Sequence, residues 1–184
     1  DRNVNLNADY AILGLSETAR AIKRHGAAAS IELSHGGYRS NVDSAEKNSS
    51  SGEIKYGPSD TILPDGKEVR EMPVDVIREI VKSFGEGAAL CKRAGFDMVM
   101  VHGGHGWLIN QFLSPYTNKR SDKYGGSLEN RARLALEILD SVRGAVGPSF
   151  PIEFRMSAEE YIEGGYDITE AVEFAKLIES RIDL

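Results

Sequence analysis

The chain has 184 residues, of which 41% are hydrophobic, enough to bury the core of one globular domain. Its formal charge of −6 and its pI near 5.3 argue against nucleic acid or an anionic membrane surface as a partner. No apolar run approaches the ~20 residues that span a bilayer, and a single cysteine suits a reducing compartment, so we expect a cytoplasmic protein.

Helices and strands alternate along the chain. Apolar spacing predicts helices over 9–24, 74–93 and 128–146, and a fourth that opens at the capping-box residues Asp167 and Glu170. The predicted buried faces are Ile12, Leu15, Ala19 and Ile22; Ile77, Val81, Phe84, Ala88 and Cys91; Leu134, Ile138 and Val142; and Ala171, Ala175 and Ile178. Cys91 therefore belongs to the core and is not expected to act as a nucleophile.

Compact apolar runs between the helices predict strands at 27–33, 96–101 and 151–156, with a further strand beginning at Arg181. This alternation predicts parallel strands with right-handed crossovers, in a (β/α)8 barrel or a doubly wound sheet. The connections over 39–73 and 108–126 are long; the first is a functional lid or a solvated loop. Because the chain lacks an initiator Met and stops in a new strand, we expect it to be a piece of a larger domain.

Polar side chains fall at the ends of successive strands. Glu32 and His35 follow the first strand, His102 and His105 the second, and Arg155 lies near the end of the third. The carboxyl ends of parallel strands form the active-site face of a barrel and the ligand crevice of an open sheet. The sequence therefore predicts one site built from all three strands.

Three readings of the paired histidines are open. They could bind a metal with His35 or Glu32 as third ligand, they could be core histidines, or they could donate to one anionic or carbonyl oxygen. No metalloprotease pattern is present, so we predict no metal site. Arg155 either forms an internal salt bridge with Glu32 or places a cation beside an electron-accepting ring. The loop over 118–127 is expected to be mainly a surface loop.

Two motifs carry a family resemblance. They are His102-Gly-Gly-His-Gly-Trp-Leu-Ile-Asn-Gln-Phe-Leu-Ser-Pro115 and Asn118-Lys-Arg-Ser-Asp-Lys-Tyr-Gly-Gly-Ser-Leu-Glu-Asn-Arg-Ala-Arg133. Both resemble the Old Yellow Enzyme family, and in particular its 2,4-dienoyl-CoA reductase, enoate reductase and bile-acid-type NADH:flavin oxidoreductases. The resemblance implies that residues 1–184 are part of one FMN-binding (β/α)8 barrel domain, roughly strands 3 to 5 with their helices and the start of strand 6.

The resemblance also implies roles for five residues. His102 and His105 would bind the carbonyl or carboxylate oxygen of the substrate, with Trp107 in the same pocket where many relatives have a proton-donating tyrosine. Glu32, usually glutamine in relatives, would contact the pyrimidine edge of the flavin, and Arg155 would lie near its N1 and O2. The implied reaction is reduction of an activated C=C bond, with NAD(P)H as electron source and FMN as carrier.

Several points stay open at this stage. Some large relatives carry a 4Fe–4S cluster and FAD, which in the parent protein would lie outside this chain. The expected partner is a small-molecule alkene, and self-association into a homo-oligomer is open. Alternative functions are a flavoenzyme that oxidises an amine, or a non-catalytic barrel fragment, since 184 residues fall short of the ~250 that close a barrel.

Overall fold

The computed structural model describes residues 11–40 and 55–184. Its helices are α1 (Ala11–Lys23), α2 (Val74–Arg93), α3 (Leu108–Leu113), α4 (Leu128–Val146) and α5 (Ile168–Ile178), with 3-10 turns at Gly37–Arg39 and Glu179–Arg181. Its strands are β1 (Ser30–Leu33), β2 (Lys55–Gly57), β3 (Thr61–Ile62), β4 (Glu68–Glu71), β5 (Met98–Gly103) and β6 (Ile152–Met156). Within these ranges no helix is long and apolar enough to cross a membrane.

The main sheet is parallel, with strand order β1-β5-β6. Within this sheet each strand lies beside the one before it, and the connection between them contains a long helix, α2 or α4, as the predicted alternation requires. The segment after α5 continues this ladder, because the amide of Asp183 donates to the carbonyl of Ile152 and the amide of Phe154 donates to Leu184. The expected new strand therefore begins on the far side of β6.

The two faces of the sheet differ sharply in chemistry. Val99, Val101 and Ile152 are fully buried in one core with the helices. Successive strand residues point to opposite faces, so the other face carries Glu32, Met100, His102, Glu153 and Arg155. In a closed barrel this second face lines the interior.

Side-chain caps begin the helices α4 and α5. The Ser127 hydroxyl accepts from the amide of Asn130 at the start of α4, and the Asp167 carboxylate accepts from Glu170 at the start of α5. Glu170 does not complete the capping box, because its carboxylate bonds Arg131 on α4. The predicted start of the first helix, residue 9, lies outside the described residues.

Most positions of the predicted helix faces are buried, Ile12 and Val81 are half-buried, and two positions need correction. Ile22 was expected in the core and is 39% exposed, since α1 buries Ala11, Leu15 and Ala19 instead. On α5 the third buried position is Phe174, whereas Ala175 is half-buried. Cys91 is fully buried as predicted, and burial raises the pKa of its thiol to about 11.

The two long connections contain structure that the sequence did not predict. Residues 41–54 lie outside the described part, but β2, β4 and β3 form a second small sheet in that order. This sheet buries Val69 and is followed by the buried Met72. The second connection contains α3, whose six residues are all buried.

Candidate active site

Strand register places three charged or ionisable side chains side by side. His102 on β5 pairs with Arg155 on β6, and Glu32 on β1 pairs with Met100, one step lower on the same face. Glu32 Oε2 lies 3.2 Å from His102 Nδ1 and 3.5 Å from Arg155 Nη1. The sheet thus brings together the polar residues that the sequence assigned to its carboxyl edge.

These three side chains differ in their exposure to solvent. The His102 side chain is 6% exposed, but Glu32 is 38% exposed and Arg155 is 53% exposed in this chain. Arg155 is thus largely exposed, since nothing in the described residues covers the inner face of β6. Its contact with Glu32 is long, so the guanidinium retains most of its hydrogen-bonding capacity.

The two imidazoles contact each other. His105 Nδ1 lies 3.4 Å from His102 Nε2, and the rings stack with centroids 5.2 Å apart. The Trp107 indole meets His102 edge-on at 5.5 Å. The structure therefore brings together His102, His105 and Trp107 as the sequence predicted.

His102 Nδ1 is a buried polar atom without a hydrogen-bond partner among the described residues. Glu32 lies within ion-pair distance of it, but the orientation does not meet hydrogen-bond geometry. An unsatisfied buried nitrogen is costly in a purely structural histidine. This observation argues against the reading of His102 as a satisfied core residue.

The metal reading gains no support from the described residues, which hold no group of three histidine, cysteine or acidic side chains around one point. His35 is engaged elsewhere, because its Nδ1 accepts from the amide of Gly37 at 3.0 Å. Burial lowers the pKa of His35, which keeps the ring neutral and suited to accepting that bond.

Strand β5 extends further than its apolar pattern indicated. The sequence predicted a strand over 96–101, but β5 includes His102 and Gly103, which pair with Arg155 and Met156. The sharp turn therefore begins at Gly104. Gly103 packs directly against Phe154, and a Cβ there would collide with that ring.

The turn over 104–107, between β5 and α3, is called the histidine turn below. Helix α3 holds it in place through two buried amide side chains. Asn110 accepts from the amide of Gly106 at 2.6 Å and donates to the Tyr166 hydroxyl at 3.1 Å. Gln111 donates to the carbonyls of Gly106 and Gly36 at 2.8 and 3.1 Å. Gln111 thus joins the turn after β1 to the histidine turn.

The loop after β6 supports the same turn from the other side. The Ser157 hydroxyl accepts from the amide of His105 at 3.0 Å, and the Ser157 carbonyl accepts from Tyr166. Burial raises the pKa of Tyr166 to about 12, so its hydroxyl stays a donor at neutral pH. The Glu160 carboxylate binds the Ser114 hydroxyl at 2.6 Å and the Tyr166 amide at 3.1 Å.

Over 118–127 most residues are exposed or half-exposed, as expected of a surface loop, but four of them are buried. Asn118, Arg120 and Tyr124 are at most 5% exposed. Arg120 forms two bonds with the carboxylate of Asp122 and donates to the carbonyls of Pro58 and Met72. The loop therefore anchors the small sheet to the barrel segment.

These polar networks were missed because their partners are distant in sequence. Gln111 and Gly36 are 75 residues apart, and Arg120 and Pro58 are 62 apart. The available clue was local: two adjacent amides inside an otherwise apolar six-residue helix are unusual for a surface connection. Amides at buried positions are expected to be hydrogen-bonded.

The three parallel strands with polar side chains at their carboxyl edge have the arrangement of the active-site face of a (β/α)8 barrel. The model of the NADH:flavin oxidoreductase / NADH oxidase family matches residues 1–183, and the chain belongs to this family. It is part of a (β/α)8 barrel of that family, which confirms the predicted resemblance and fold class.

Comparisons with individual proteins support the same family assignment. The chain is 43% identical over 179 residues to the NADPH dehydrogenase of Halalkalibacterium halodurans, covering 96% of the chain and 49% of that protein. A structure of 2-naphthoyl-CoA reductase in complex with 2-naphthoyl-CoA superposes with a TM-score of 0.90 at 32% identity, covering 99% of this chain and 29% of that one. Histamine dehydrogenase from Rhizobium sp. 4-9 gives a TM-score of 0.82 at 34% identity, covering 95% and 25%. The chain thus spans about half the length of the NADPH dehydrogenase that it matches.

Proposed function

We propose that the protein containing this chain is an FMN-dependent oxidoreductase that reduces an activated C=C bond with NAD(P)H as electron source. The observation that carries the proposal is the pair of contacting imidazoles, His102 and His105, at the carboxyl edge of three parallel barrel strands. Membership of the NADH:flavin oxidoreductase family supports flavin as the cofactor.

The inner face of the sheet fits the pyrimidine edge of a flavin. That edge offers carbonyl acceptors and one N–H donor, and the face presents the half-exposed guanidinium of Arg155 and the half-exposed carboxylate of Glu32. A cation there favours the reduced, anionic form of the ring, and its pairing with Glu32 moderates the opposing negative charge.

When bound, FMN supplies a two-electron store that takes hydride from NAD(P)H and gives it to the β-carbon of the alkene. The task of His102 and His105 is to polarise the conjugated carbonyl and to stabilise the negative charge on its oxygen. His105 lies at the exposed side of the pair and offers its Nε2 directly. The contact between His102 Nε2 and His105 Nδ1 is weak at 3.4 Å. A substrate oxygen can replace it and accept a hydrogen bond from His102 as well as from His105. Trp107 forms one wall of the same pocket.

An enone, an enoate and an unsaturated CoA thioester all present the required conjugated carbonyl. The thioester is supported by the likeness to 2-naphthoyl-CoA reductase. Four points stay predictions. They are the placement of residues 1–184 in a single FMN domain, the cytoplasmic location, a homo-oligomer, and a 4Fe–4S cluster or FAD elsewhere in the parent protein.

The test separates the two half-reactions in the full-length protein by stopped-flow absorbance of the flavin. His102→Ala should leave flavin reduction by NAD(P)H nearly unchanged and slow alkene reduction by about 10²–10³, the typical cost of one lost oxyanion donor. His25→Ala is the matched control, because His25 is exposed on the turn after α1. Equal loss in both half-reactions would show that the histidines hold the cofactor or the fold instead.

Oxidation of an amine is the second candidate, supported by the likeness to histamine dehydrogenase. It requires a substrate that reduces the flavin rather than one that reoxidises it. Mixing the oxidised protein with histamine under anaerobic conditions discriminates the two functions, since bleaching of the flavin would favour amine oxidation. Paired imidazole donors favour the carbonyl substrate, because an amine presents no developing oxyanion to stabilise.

A further inference from the structure

The turn that follows β1 places an arginine on the histidine turn. Arg39 is the last residue of the 3-10 turn Gly37–Arg39, and its Nη1 donates to the carbonyl of His105 at 3.3 Å. The guanidinium lies directly against Gly106, where an added Cβ would come within 2.8 Å of Arg39 Cζ. A side chain at position 106 would therefore displace the guanidinium, and the glycine leaves room for it.

The backbone that carries Arg39 is fixed relative to the histidine turn. The amide of Arg39 donates to the carbonyl of Gly36 at 3.1 Å. The buried Gln111 side chain donates to that same carbonyl at 3.1 Å and to the carbonyl of Gly106 at 2.8 Å. Arg39 and His105 therefore belong to two turns that one amide holds together.

The contact with His105 uses only one nitrogen of the guanidinium. An arginine has five N–H donors, and those on Nε and Nη2 point the same way along one edge. Elsewhere in this chain that edge binds a carboxylate, because Arg120 Nε and Nη2 donate to Asp122 at 2.9 and 2.7 Å. In Arg39 the same edge has no partner within residues 11–40 and 55–184. It is suited to two oxygens of one anion.

A second cation lies at the same turn. Lys55 Nζ donates to the carbonyls of Tyr38 and Ser40 at 3.2 and 2.9 Å. These carbonyls flank Arg39 in the chain, and the ammonium offsets the repulsion that their lone pairs would exert on an anion. The chain has a formal charge of −6, yet neither cation contacts a carboxylate in the described part of it. The turn is therefore a local centre of positive charge.

We propose that Arg39 binds a phosphate group of the ligand that occupies the site. The inference rests on the proposed function and adds an anion site to it. In that function His102 and His105 take the carbonyl or carboxylate oxygen of the substrate, so Arg39 is left for an anion further along the ligand. NAD(P)H carries a diphosphate, and the alkene carries one as well if it is a CoA thioester. The two ligands share the chemistry that Arg39 recognises.

Bracing of the histidine turn is the alternative role for Arg39, given its contact with the carbonyl of His105. Bracing would act on every ligand that reaches the histidine pair, whether charged or neutral. A phosphate site acts only on ligands that carry phosphate. The ratio of affinities for charged and neutral ligands therefore separates the two roles.

The experiment uses matched ligands with the full-length, FMN-loaded protein. For the alkene, calorimetry measures the binding of crotonyl-CoA and of crotonyl-N-acetylcysteamine, which share the thioester and differ in the phosphates. For the electron donor, stopped-flow absorbance gives the concentration dependence of flavin reduction by NADPH, by NADH and by 1-benzyl-1,4-dihydronicotinamide, which has no phosphate.

Three variants are compared with the wild type. Arg39→Met removes the charge and both donors, and we expect it to weaken a phosphate-bearing ligand about tenfold in at least one arm, while its neutral counterpart is nearly unchanged. Tenfold is near the low end for a hydrogen bond to a charged group, because Arg39 is exposed. Arg39→Lys keeps the charge and should recover part of the affinity. Arg78→Met removes an exposed arginine on α2 and should change neither ligand.

The pattern of losses assigns the phosphate. A loss in the alkene arm alone assigns it to the substrate, and a loss in the donor arm alone assigns it to the nucleotide; both support the site. Equal losses for charged and neutral ligands would overturn the inference and leave Arg39 as a brace. Unchanged affinities in both arms would overturn it too. If the protein reduces no alkene, the proposed function fails, and the donor arm still decides whether Arg39 binds phosphate.

Discussion

The amide of Gln111 is the most direct test of how the histidine turn is held. Its side chain is 1% exposed and donates to the carbonyls of Gly36 and Gly106. It also accepts a long bond of 3.4 Å from the amide of Tyr38. Gln111→Met keeps the volume of the side chain, so the change removes hydrogen bonds without opening a large cavity.

The expected loss follows from the partners left behind. Each orphaned buried carbonyl costs about 1–3 kcal/mol, and Gly36 and Gly106 are half-buried, which indicates the lower end. The contact with Tyr38 adds little at its length. We therefore expect the free energy of unfolding to fall by about 2 kcal/mol.

Urea-induced unfolding of the full-length protein measures this loss, with Arg78→Met as control. Arg78 is exposed on α2, so its replacement should change stability by no more than about 0.5 kcal/mol. If Gln111→Met were as stable as Arg78→Met, the amide would not clamp the two turns. A stable Gln111→Met variant with normal alkene reduction would also refute the role of α3 in positioning His105.

Three further predictions concern other parts of the chain. Gly103→Ala should lower the free energy of unfolding by about 1–3 kcal/mol, because the added Cβ meets the Phe154 ring. Gly144→Ala is the control and should not destabilise the protein, because the space beside Gly144 is open. Thermal unfolding compares the two variants. The Arg120 guanidinium lowers the pKa of Asp122, so this carboxylate stabilises the fold above pH ~4 and loses its contribution as the pH falls through the lowered pKa. The stability difference between wild type and Asp122→Asn should therefore shrink in acid, and a constant difference would contradict the pairing. With its thiol pKa at about 11, Cys91 should resist a disulfide reagent at pH 8 until the protein unfolds, and rapid native labelling would contradict its burial.

The parts of the fold that were predictable are those whose causes are local. Helices α2 and α4 end within a residue of the predicted bounds, because apolar periodicity, the Ser127 cap and the glycines after each helix act over a few positions. The grouping of the polar residues at the carboxyl edge of the sheet was predictable from the order of helices and strands alone. Parallel strands place their ends together regardless of the details of packing.

The parts that were not predictable depend on contacts between distant segments. The apolar run ends at Val101, but β5 continues through Gly103 because β6 supplies the ladder partners. Arg120 is a charged residue in a turn-rich loop, and nothing local indicates that carbonyls from 48 and 62 residues away will bury it. The ring contact between His102 and His105 likewise depends on a backbone conformation that spacing does not specify.

The two histidines of the site differ in how their backbones are constrained. His102 lies inside a parallel ladder, whereas His105 has a left-handed backbone with φ of 58°. Asparagine and glycine adopt that conformation more readily than other residues do. The backbone at position 105 therefore accepts an amide side chain in place of the imidazole without a change in the loop. Substrate preference can diverge at this one residue while the strand that holds His102 stays unchanged.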